Sequence, residues 1–552
     1  MRPLHRLCGL LLLLSLLFSR ASAPPPESGT APPKVVIFVL ADDVGYGSAG
    51  WARGSPAATA GPRGGSLTPR LDSLAASGAI LDTAISAFWC TPARSSLLTG
   101  RLPVHVQMGQ DFPETPTAGA PAAMTFLSEK FKARNWSTHA VGKWDVGFAS
   151  PAQTPEGRGF DSSLVYVEHM NEAWTQQIFP GGTACTLGGV NISDCWADGA
   201  PCRGINGTQF IEYMHRDRLQ HILAGAAPLA GAPLFIYYAP HIAHYPLQVP
   251  RDWLARYDYM GDDEPACNAT VPYIYPGADP AVQPYVCRQQ GAALMGLLDE
   301  LVGNLTDEVR ARGWWDETLL IFSSDNGAPL DVQEAGSSNE PLRGGKYSSW
   351  SGGTVVPAFV GGGYLPPPAR GSRVPGMVHI ADWLATLCAL IGADPADARA
   401  AAAGLPAVDS LNVWPLISGA SSASPRTEVP IAPSTLISWP WKLLTGLQWW
   451  SGYAGAVYPN ASSVQDARSL NQWVDCGAGC LFNISADLQE RQDLAAQHPD
   501  VVAALAERLQ LLASGFYTNN ETGVDVCPPG TLLCGCWAAV HVWGGAFGPY
   551  QH

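Results

Sequence analysis

The sequence predicts an α/β protein, with a large, mostly parallel sheet between helices followed by a smaller C-terminal α+β domain. Three observations carry this. Continuous runs of Val, Ile, Leu, Phe and Tyr at residues 34–40, 234–238 and 319–323 read as strands buried on both faces. Stretches with helical spacing alternate with these runs, which implies a sheet covered on both sides. Two of the runs also end in acidic and amide residues, Asp42-Asp43 and Asp325-Asn326. In such sheets ligands bind at the carboxyl ends of the strands.

Taken in order, the chain opens with Arg2 and Arg6, a short apolar core over residues 10–18 and the small-residue string Ala21-Ser22-Ala23. This reads as a secretory signal over residues 1–23, too short to span a bilayer. The strand at 34–40 comes next. Residues 68–78 have helical spacing closed by Gly78, and another apolar stretch runs over 79–85. After the strand at 234–238, residues 294–312 predict a long amphipathic helix ended by Gly313, and the strand at 319–323 follows. Residues 396–424 are rich in Ala, Gly, Pro and Ser and read as a loop or boundary. A catalytic domain over 34–415 and a smaller domain over 425–552 follow from this. In the latter, 441–445 predicts a strand and 481–512 a short strand leading into an amphipathic helix. No repeat and no later membrane-spanning segment is evident.

The composition agrees. Hydrophobic residues make up 47% and charged residues 14% of the 552, as in a packed globular protein. A net charge of −15 argues against a nucleic-acid partner. It does not exclude an anionic ester, because a small basic pocket can lie within an acidic protein. Sequons at Asn135, Asn191, Asn206, Asn268, Asn304, Asn460, Asn483 and Asn520, beside a signal segment, point to a glycosylated secretory protein, extracellular or lysosomal. Setting aside Cys8 and Cys90, 11 of the 13 cysteines remain. The clusters Cys185/Cys195/Cys202, Cys476/Cys480 and Cys527/Cys534/Cys536 suit disulfides in an oxidising compartment. An odd number leaves one thiol unpaired, and Cys388, on the apolar face of 380–391, is the candidate.

The most informative string is Cys90-Thr91-Pro92-Ala93-Arg94-Ser95-Ser96-Leu97-Leu98-Thr99-Gly100-Arg101. Read locally, it is a buried or disulfide-bonded cysteine ahead of a Pro-started helix. As a whole it resembles the signature of type I sulfatases, which implies an alkaline-phosphatase-like fold. The resemblance further implies that Cys90 is oxidised by the formylglycine-generating enzyme to formylglycine (3-oxoalanine), whose hydrate supplies the attacking oxygen, with Arg94 stabilising it. Asp42, Asp43, Asp325 and Asn326 match the positions that hold one divalent ion, usually Ca2+, which also contacts residue 90 and a sulfate oxygen. Hard oxygen donors suit such an ion, and its charge makes the sulfur a better electrophile. Val141-Gly142-Lys143-Trp144 and Leu342-Arg343-Gly344-Gly345-Lys346 resemble the segments carrying the two sulfate-binding lysines. Ala243-His244-Tyr245-Pro246-Leu247-Gln248-Val249-Pro250 resembles the His-x-Pro element, whose histidine acts as general acid to the leaving alcohol. His241 nearby reads as structural or supporting. These strings, with Ser424-Pro425-Arg426-Thr427-Glu428 and Trp441-Lys442-Leu443-Leu444, are most similar to the arylsulfatase B branch, whose members remove 4-sulfate from N-acetylgalactosamine in glycosaminoglycans. The substrate this implies is an aryl sulfate or a sulfated carbohydrate, sulfated polysaccharides included.

Asp145 departs from the family string Gly-Lys-Trp-His, whose histidine takes the proton when sulfate is released. An unperturbed aspartate, with a pKa of about 3.9, is a weak base at neutral pH unless burial raises it. Altered pH dependence, slow turnover and an inactive relative are the three readings. Ser351 stands where relatives have Glu before the two glycines. Two rivals remain open at this point: a phosphoesterase of the same superfamily, and a sulfated-glycan-binding glycoprotein with a vestigial site.

Overall fold

The apolar run at 34–40 forms strand β1 (Val35–Ala41), every residue of which is buried. Val35, Ile37, Val39 and Ala41 pack into one core layer, while Val36, Phe38 and Leu40 pack into the other. Alternate side chains therefore feed two apolar layers, and neither face is wet. A computed structural model of the chain describes residues 31–552 except 53–60, 63–64, 110–114, 116, 179–184, 186–190, 205–206, 208, 260–286, 331–335, 454–472, 522 and 532. The expected signal segment lies outside the described residues, as do Asn206, Asn268, Asn460 and Cys267.

With β1, the strands β2 (Ala79–Ile85), β3 (Ser137–Lys143), β4 (Ser162–Tyr166), β5 (Leu234–Ala239), β6 (Thr318–Ser324), β7 (Ala358–Gly361) and β8 (Ser372–His379) form the body of an 11-stranded sheet. Their order is β8-β2-β7-β6-β1-β5-β3-β4. β1 lies parallel between β5 and β6, and β3 and β4 continue in parallel beyond β5. β7 runs antiparallel to both β2 and β6.

Helices cover both faces. On one face α1 (Pro69–Ser77), α3 (Ile211–Gly225) and α4 (Cys287–Ala311) contribute Leu71 and Leu74, Leu219 and Ile222, and Leu298 and Val302. On the other, α2 (Cys90–Thr99) and α5 (Asp382–Ile391) contribute Leu97 and Leu98, and Leu384, Leu387 and Cys388. Each fully buried Leu stabilises the fold by about 1.5–3 kcal/mol. Helix α4 begins before the expected residue 294, because its first turns carry no apolar period. Instead, buried Gln289 donates from Nε2 to the Leu254 carbonyl at 3.1 Å and to Asp258 Oδ1 at 2.9 Å.

The C-terminal part holds an antiparallel sheet of β9 (Glu428–Ala432), β10 (Thr435–Ser438), β11 (Trp441–Leu444) and β12 (Cys480–Asn483). Helix α6 (Pro499–Ala513) covers it, Leu505 and Leu509 packing on Leu436, Leu443 and Leu481. The strand at 441–445 and the strand-then-helix over 481–512 stand as expected. The tail after α6 returns to the large sheet. Asn519 donates to the carbonyls of Thr117 and Gly119, Tyr550 N–H donates to Ala149, and Cys536 is bonded to Cys185. Cys195–Cys202, Cys476–Cys480 and Cys527–Cys534 are the other disulfides among the described residues, and Cys90 and Cys388 are free and buried. Asn135, Asn191, Asn304 and Asn520 are exposed and Asn483 is half-buried. No helix among the described residues is long and apolar enough to cross a membrane.

The segment at 396–424, expected as a loop or boundary, contains the short helices Ala398–Ala402 and Trp414–Ile417. It braces the large sheet's helices: Arg101 donates to Asp397 Oδ2 at 3.0 Å, and the Leu102 N–H donates to Asp409 Oδ2 at 2.9 Å. Two anchoring carboxylates are invisible in a composition count. Buried Asp382, first residue of α5, plays a similar part. It accepts from Arg426 Nε and Nη2 at 2.7 Å and 2.6 Å, and from the backbone N–H groups of His379 and Leu411 at 2.9 Å and 3.0 Å. Asp382→Ala leaves the Arg426 charge buried and unpaired, at a cost of about 3–5 kcal/mol. The expected result is a clearly lower urea midpoint, and an unchanged midpoint would refute this reading of the joint.

Candidate active site at the strand ends

The parallel sheet brings the predicted residues to one edge. Asp42-Asp43 follows β1, Lys143 ends β3, His241 and His244 follow β5, and Asp325-Asn326 follows β6. The register Ala41↔Ser324 sets the two pairs side by side. Cys90 is the first residue of α2 and Arg94 lies one turn on, so both face the same way. Helix α2 is stopped by Gly100, left-handed at φ 68°, whose N–H donates to the Ser96 carbonyl at 2.9 Å. Gly142 before Lys143 sits at φ 104°, and a Cβ there would strike the Ala239 carbonyl of β5. Only glycine permits that approach.

All ten predicted side chains are buried in one cluster. Lys143 Nζ donates to Asp42 Oδ2 at 2.9 Å, and Lys346 Nζ donates to Asp43 Oδ2 at 2.8 Å. Arg94 holds Asp325 Oδ2 through Nη2 at 2.7 Å and reaches Asp42 Oδ1 at 3.4 Å. Cys90 Sγ lies 3.7 Å from Asp42 Oδ1. The Asn326 amide donates to Asp43 Oδ1 at 2.6 Å, while its Oδ1 is buried with no hydrogen-bond partner.

The electrostatics follow from burial. Burial pushes the Asp42 carboxyl up, but the nearby cations, Lys143 first, override it and hold the group well below the usual carboxylate range. Burial raises Asp43 against the opposing pull of Lys346, and burial with the Asp42 charge pushes Asp325 up to about 6. Three carboxylates this close resist common ionisation, which a divalent cation would relieve. The donor atoms of Asp42, Asp43, Cys90 and His244 lie within 4.8 Å of one another. Asp325 is outside that group, because Arg94 draws its Oδ2 away and its Oδ1 accepts from the N–H groups of Asp43 and Asn326. The hard oxygens and the orphaned Asn326 Oδ1 fit a calcium-type ion. Burial pushes the Cys90 thiol well up despite Lys143 and Lys346, so as a cysteine it would be a poor nucleophile.

His244 brings a refinement. Its Nδ1 donates to the Tyr245 carbonyl at 2.5 Å, and its Nε2 lies 3.0 Å from Lys346 Nζ. Burial and then Lys346 hold its pKa well below the ordinary imidazole value. The ring is neutral, with Nε2 accepting from Lys346. Asp145 adopts φ 49°, tolerated by aspartate. Its Oδ1 accepts from Thr91 Oγ1 at 2.8 Å, and its Oδ2 lies 3.8 Å from Lys143 Nζ with no hydrogen-bond partner. Burial, partly opposed by Lys143 and Arg94, pushes it up to about 6.

Several supporting residues escaped sequence reasoning. Tyr166 Oη donates to Asp42 Oδ2 at 3.4 Å, and Arg94 Nη1 donates to Tyr237 Oη at 3.4 Å. Tyr237 reads only as a position in the apolar run 234–238, and Tyr166 carries no signal in the sequence. Glu212 of α3 accepts from the His241 N–H at 2.6 Å and from Tyr238 Oη at 3.3 Å, which makes His241 a supporting residue. Where a glutamate was expected, the Ser351 N–H donates to Glu490 Oε2 at 2.6 Å, and Glu490 pairs with Lys442 of β11. The loop after β12 thus supplies a buried carboxylate at that point.

Buried cations gathered around carboxylates on the carboxyl edge of an α/β/α sheet suit the binding of an anionic group. Residues 34–393 match the sulfatase family, and the chain belongs to it. It is 31% identical to arylsulfatase J of Mus musculus over 528 residues, covering 91% of this chain and 79% of that one. It is 30% identical to arylsulfatase A of Homo sapiens over 449 residues, covering 77% and 73%. The crystal structure of Ps i-CgsB in complex with k-i-k-neocarrahexaose superposes with a TM-score of 0.67 at 22% identity, covering 89% of this chain and 94% of that one. That likeness speaks for the fold. The chain is a sulfuric ester hydrolase of arylsulfatase type.

Proposed function

We propose that the chain hydrolyses aryl or carbohydrate sulfate esters with residue 90 as formylglycine. The observation that carries this is the gathering of Arg94, Lys143 and Lys346, all buried, on the carboxylates beside Cys90. Asp42, Asp43, Asp325 and Asn326, with residue 90, are the residues that would hold one divalent ion, Ca2+ by their oxygen donors. Bound there, the ion would neutralise sulfate charge and polarise the sulfur. The hydrated aldehyde of residue 90 supplies the attacking oxygen. Lys143, Lys346 and Arg94 are the cations that would hold the sulfate oxygens beside it.

His244 is the residue that would protonate the leaving oxygen: its Nε2, 3.0 Å from Lys346 Nζ, takes up a proton from that ammonium and passes it to the alkoxide. Asp145, joined through Thr91 to the position beside residue 90, takes the hydroxyl proton as sulfate leaves. Maturation by the formylglycine-generating enzyme and residence in the secretory pathway go with this reading, which the disulfides support. A substrate drawn from sulfated polysaccharides fits the branch likeness, as does glycosylation of the exposed sequons.

Dialysis against a calcium chelator is expected to abolish hydrolysis of 4-nitrophenyl sulfate, with Ca2+ restoring it. Asn326→Ala should raise the Ca2+ concentration needed by roughly tenfold or more. Retention of full activity after chelation would contradict the metal assignment. Hydrolysis of 4-nitrophenyl phosphate at the higher rate would overturn the proposed substrate class.

A further inference from the structure

The residues either side of the cradle carry a feature that sulfate binding does not use. Trp89 immediately precedes Cys90, and Tyr347 immediately follows Lys346. Both side chains are half-buried, whereas Arg94, Lys143 and Lys346 are buried. The Tyr347 N–H donates to the Phe88 carbonyl at 2.8 Å, which ties the two segments together at the cradle. The Trp89 indole donates from Nε1 to the Met108 carbonyl at 2.9 Å, which fixes its plane. The Trp89 and Tyr347 rings meet edge to face, with centroids 5.6 Å apart. Lys346 Nζ lies 5.3 Å from the Tyr347 ring centre. That same ammonium is 3.0 Å from His244 Nε2. The Tyr347 ring therefore neighbours the Lys346–His244 end of the cluster, the end from which the alcohol would depart in the reading above.

We propose that Trp89 and Tyr347 form an aromatic wall that stacks on a ring in the alcohol portion of the substrate, an arene or the flat face of a pyranose. The inference rests on the sulfate-ester reading above and names the class of alcohol that site accepts. Charged walls would favour a polar or acyclic alcohol. Fixed aromatic faces instead favour flat rings, through dispersion and edge-to-face contacts. Tyr347 holds φ 71°, so its backbone is set by the Lys346 loop and not by its own side chain. An asparagine there keeps the backbone while removing the ring.

The test compares the parent with Tyr347→Asn, Trp89→Leu and the ring-keeping Tyr347→Phe. The probes are 4-nitrophenyl sulfate, N-acetylgalactosamine 4-sulfate and inorganic sulfate, and mass analysis of the Cys90 peptide checks that each variant is equally matured. Inorganic sulfate fills the cradle without touching the wall. Its inhibition constant is expected to stay within about twofold in every variant, while KM for a ring-bearing ester rises roughly tenfold in the two ring-removing variants and kcat changes little. Tyr347→Phe should keep the parental KM. Loss confined to the aryl ester would assign the wall to arenes, and loss on the sugar ester to pyranoses. Unchanged KM for both esters, or parallel losses of ester and sulfate binding, would overturn the wall. If the parent turns over neither ester, the proposed activity fails separately. The dissociation constants of the esters relative to sulfate then decide the wall in the same way.

Discussion

Cys90→Ala protein is expected to lose hydrolysis of every sulfate ester, by on the order of ten-thousandfold or more, while folding normally. The size follows from the position. Residue 90 opens α2 inside a cluster of three cations and four carboxylates, and its Sγ lies 3.7 Å from Asp42. Any displacement at sulfur has to be delivered from there. The variant should still bind inorganic sulfate, because Arg94, Lys143 and Lys346 remain. Steady-state rates with an aryl sulfate, together with sulfate binding by calorimetry, check both halves. Residual turnover near the parental rate would place the nucleophile elsewhere. Cys90→Ser tests the same point with a smaller structural change, since a buried hydroxyl lacks the paired oxygens of a hydrated aldehyde.

Asp145→Asn is expected to act later in the cycle. The amide keeps the Thr91 hydrogen bond but accepts no proton, so alcohol should appear in a burst of about one equivalent, with kcat then lower by roughly a hundredfold to ten-thousandfold. The parental pH profile carries the matching sign. The carboxyl is pushed up to about 6 by burial, and a base works only when deprotonated. Activity should therefore rise with pH through about 6 and be lost below it. An ordinary aspartate near 3.9 would leave the acid side flat down to about pH 4. Of the three readings of this position, burial favours altered pH dependence. A parental acid limb that survives unchanged in Asp145→Asn would assign that limb to another group.

Much of this was legible in the sequence because its residues are neighbours along the chain. Cys90 and Arg94 share one helix face, and Asp42-Asp43 and Asp325-Asn326 end runs whose burial on both sides is written in Val, Ile, Leu and Phe. What stayed hidden depends on long-range packing. Strand β3 reads Ser-Thr-His-Ala-Val-Gly-Lys, too polar for a buried-strand pattern. It is buried because Thr138 Oγ1 donates to the Gly159 carbonyl at 2.8 Å and His139 meets Ser162 at 2.7 Å. The neutrality of His244 could not be read from its motif. It comes from burial and then from Lys346, 102 positions away in sequence, lying 3.0 Å from its ring. Glu490 reaches Ser351 from 139 positions off, and the tail after α6 joins the large sheet through Cys536 and Cys185. None of these leaves a local period or spacing.

The central claim is that residue 90 works as formylglycine. Its most direct test is the mass of the peptide containing residue 90, taken from protein secreted by a cell that carries the formylglycine-generating enzyme. The account predicts that this peptide carries the aldehyde, reactive towards hydrazide, in proportion to specific activity across preparations. A fully active preparation whose peptide holds only unmodified cysteine would contradict it.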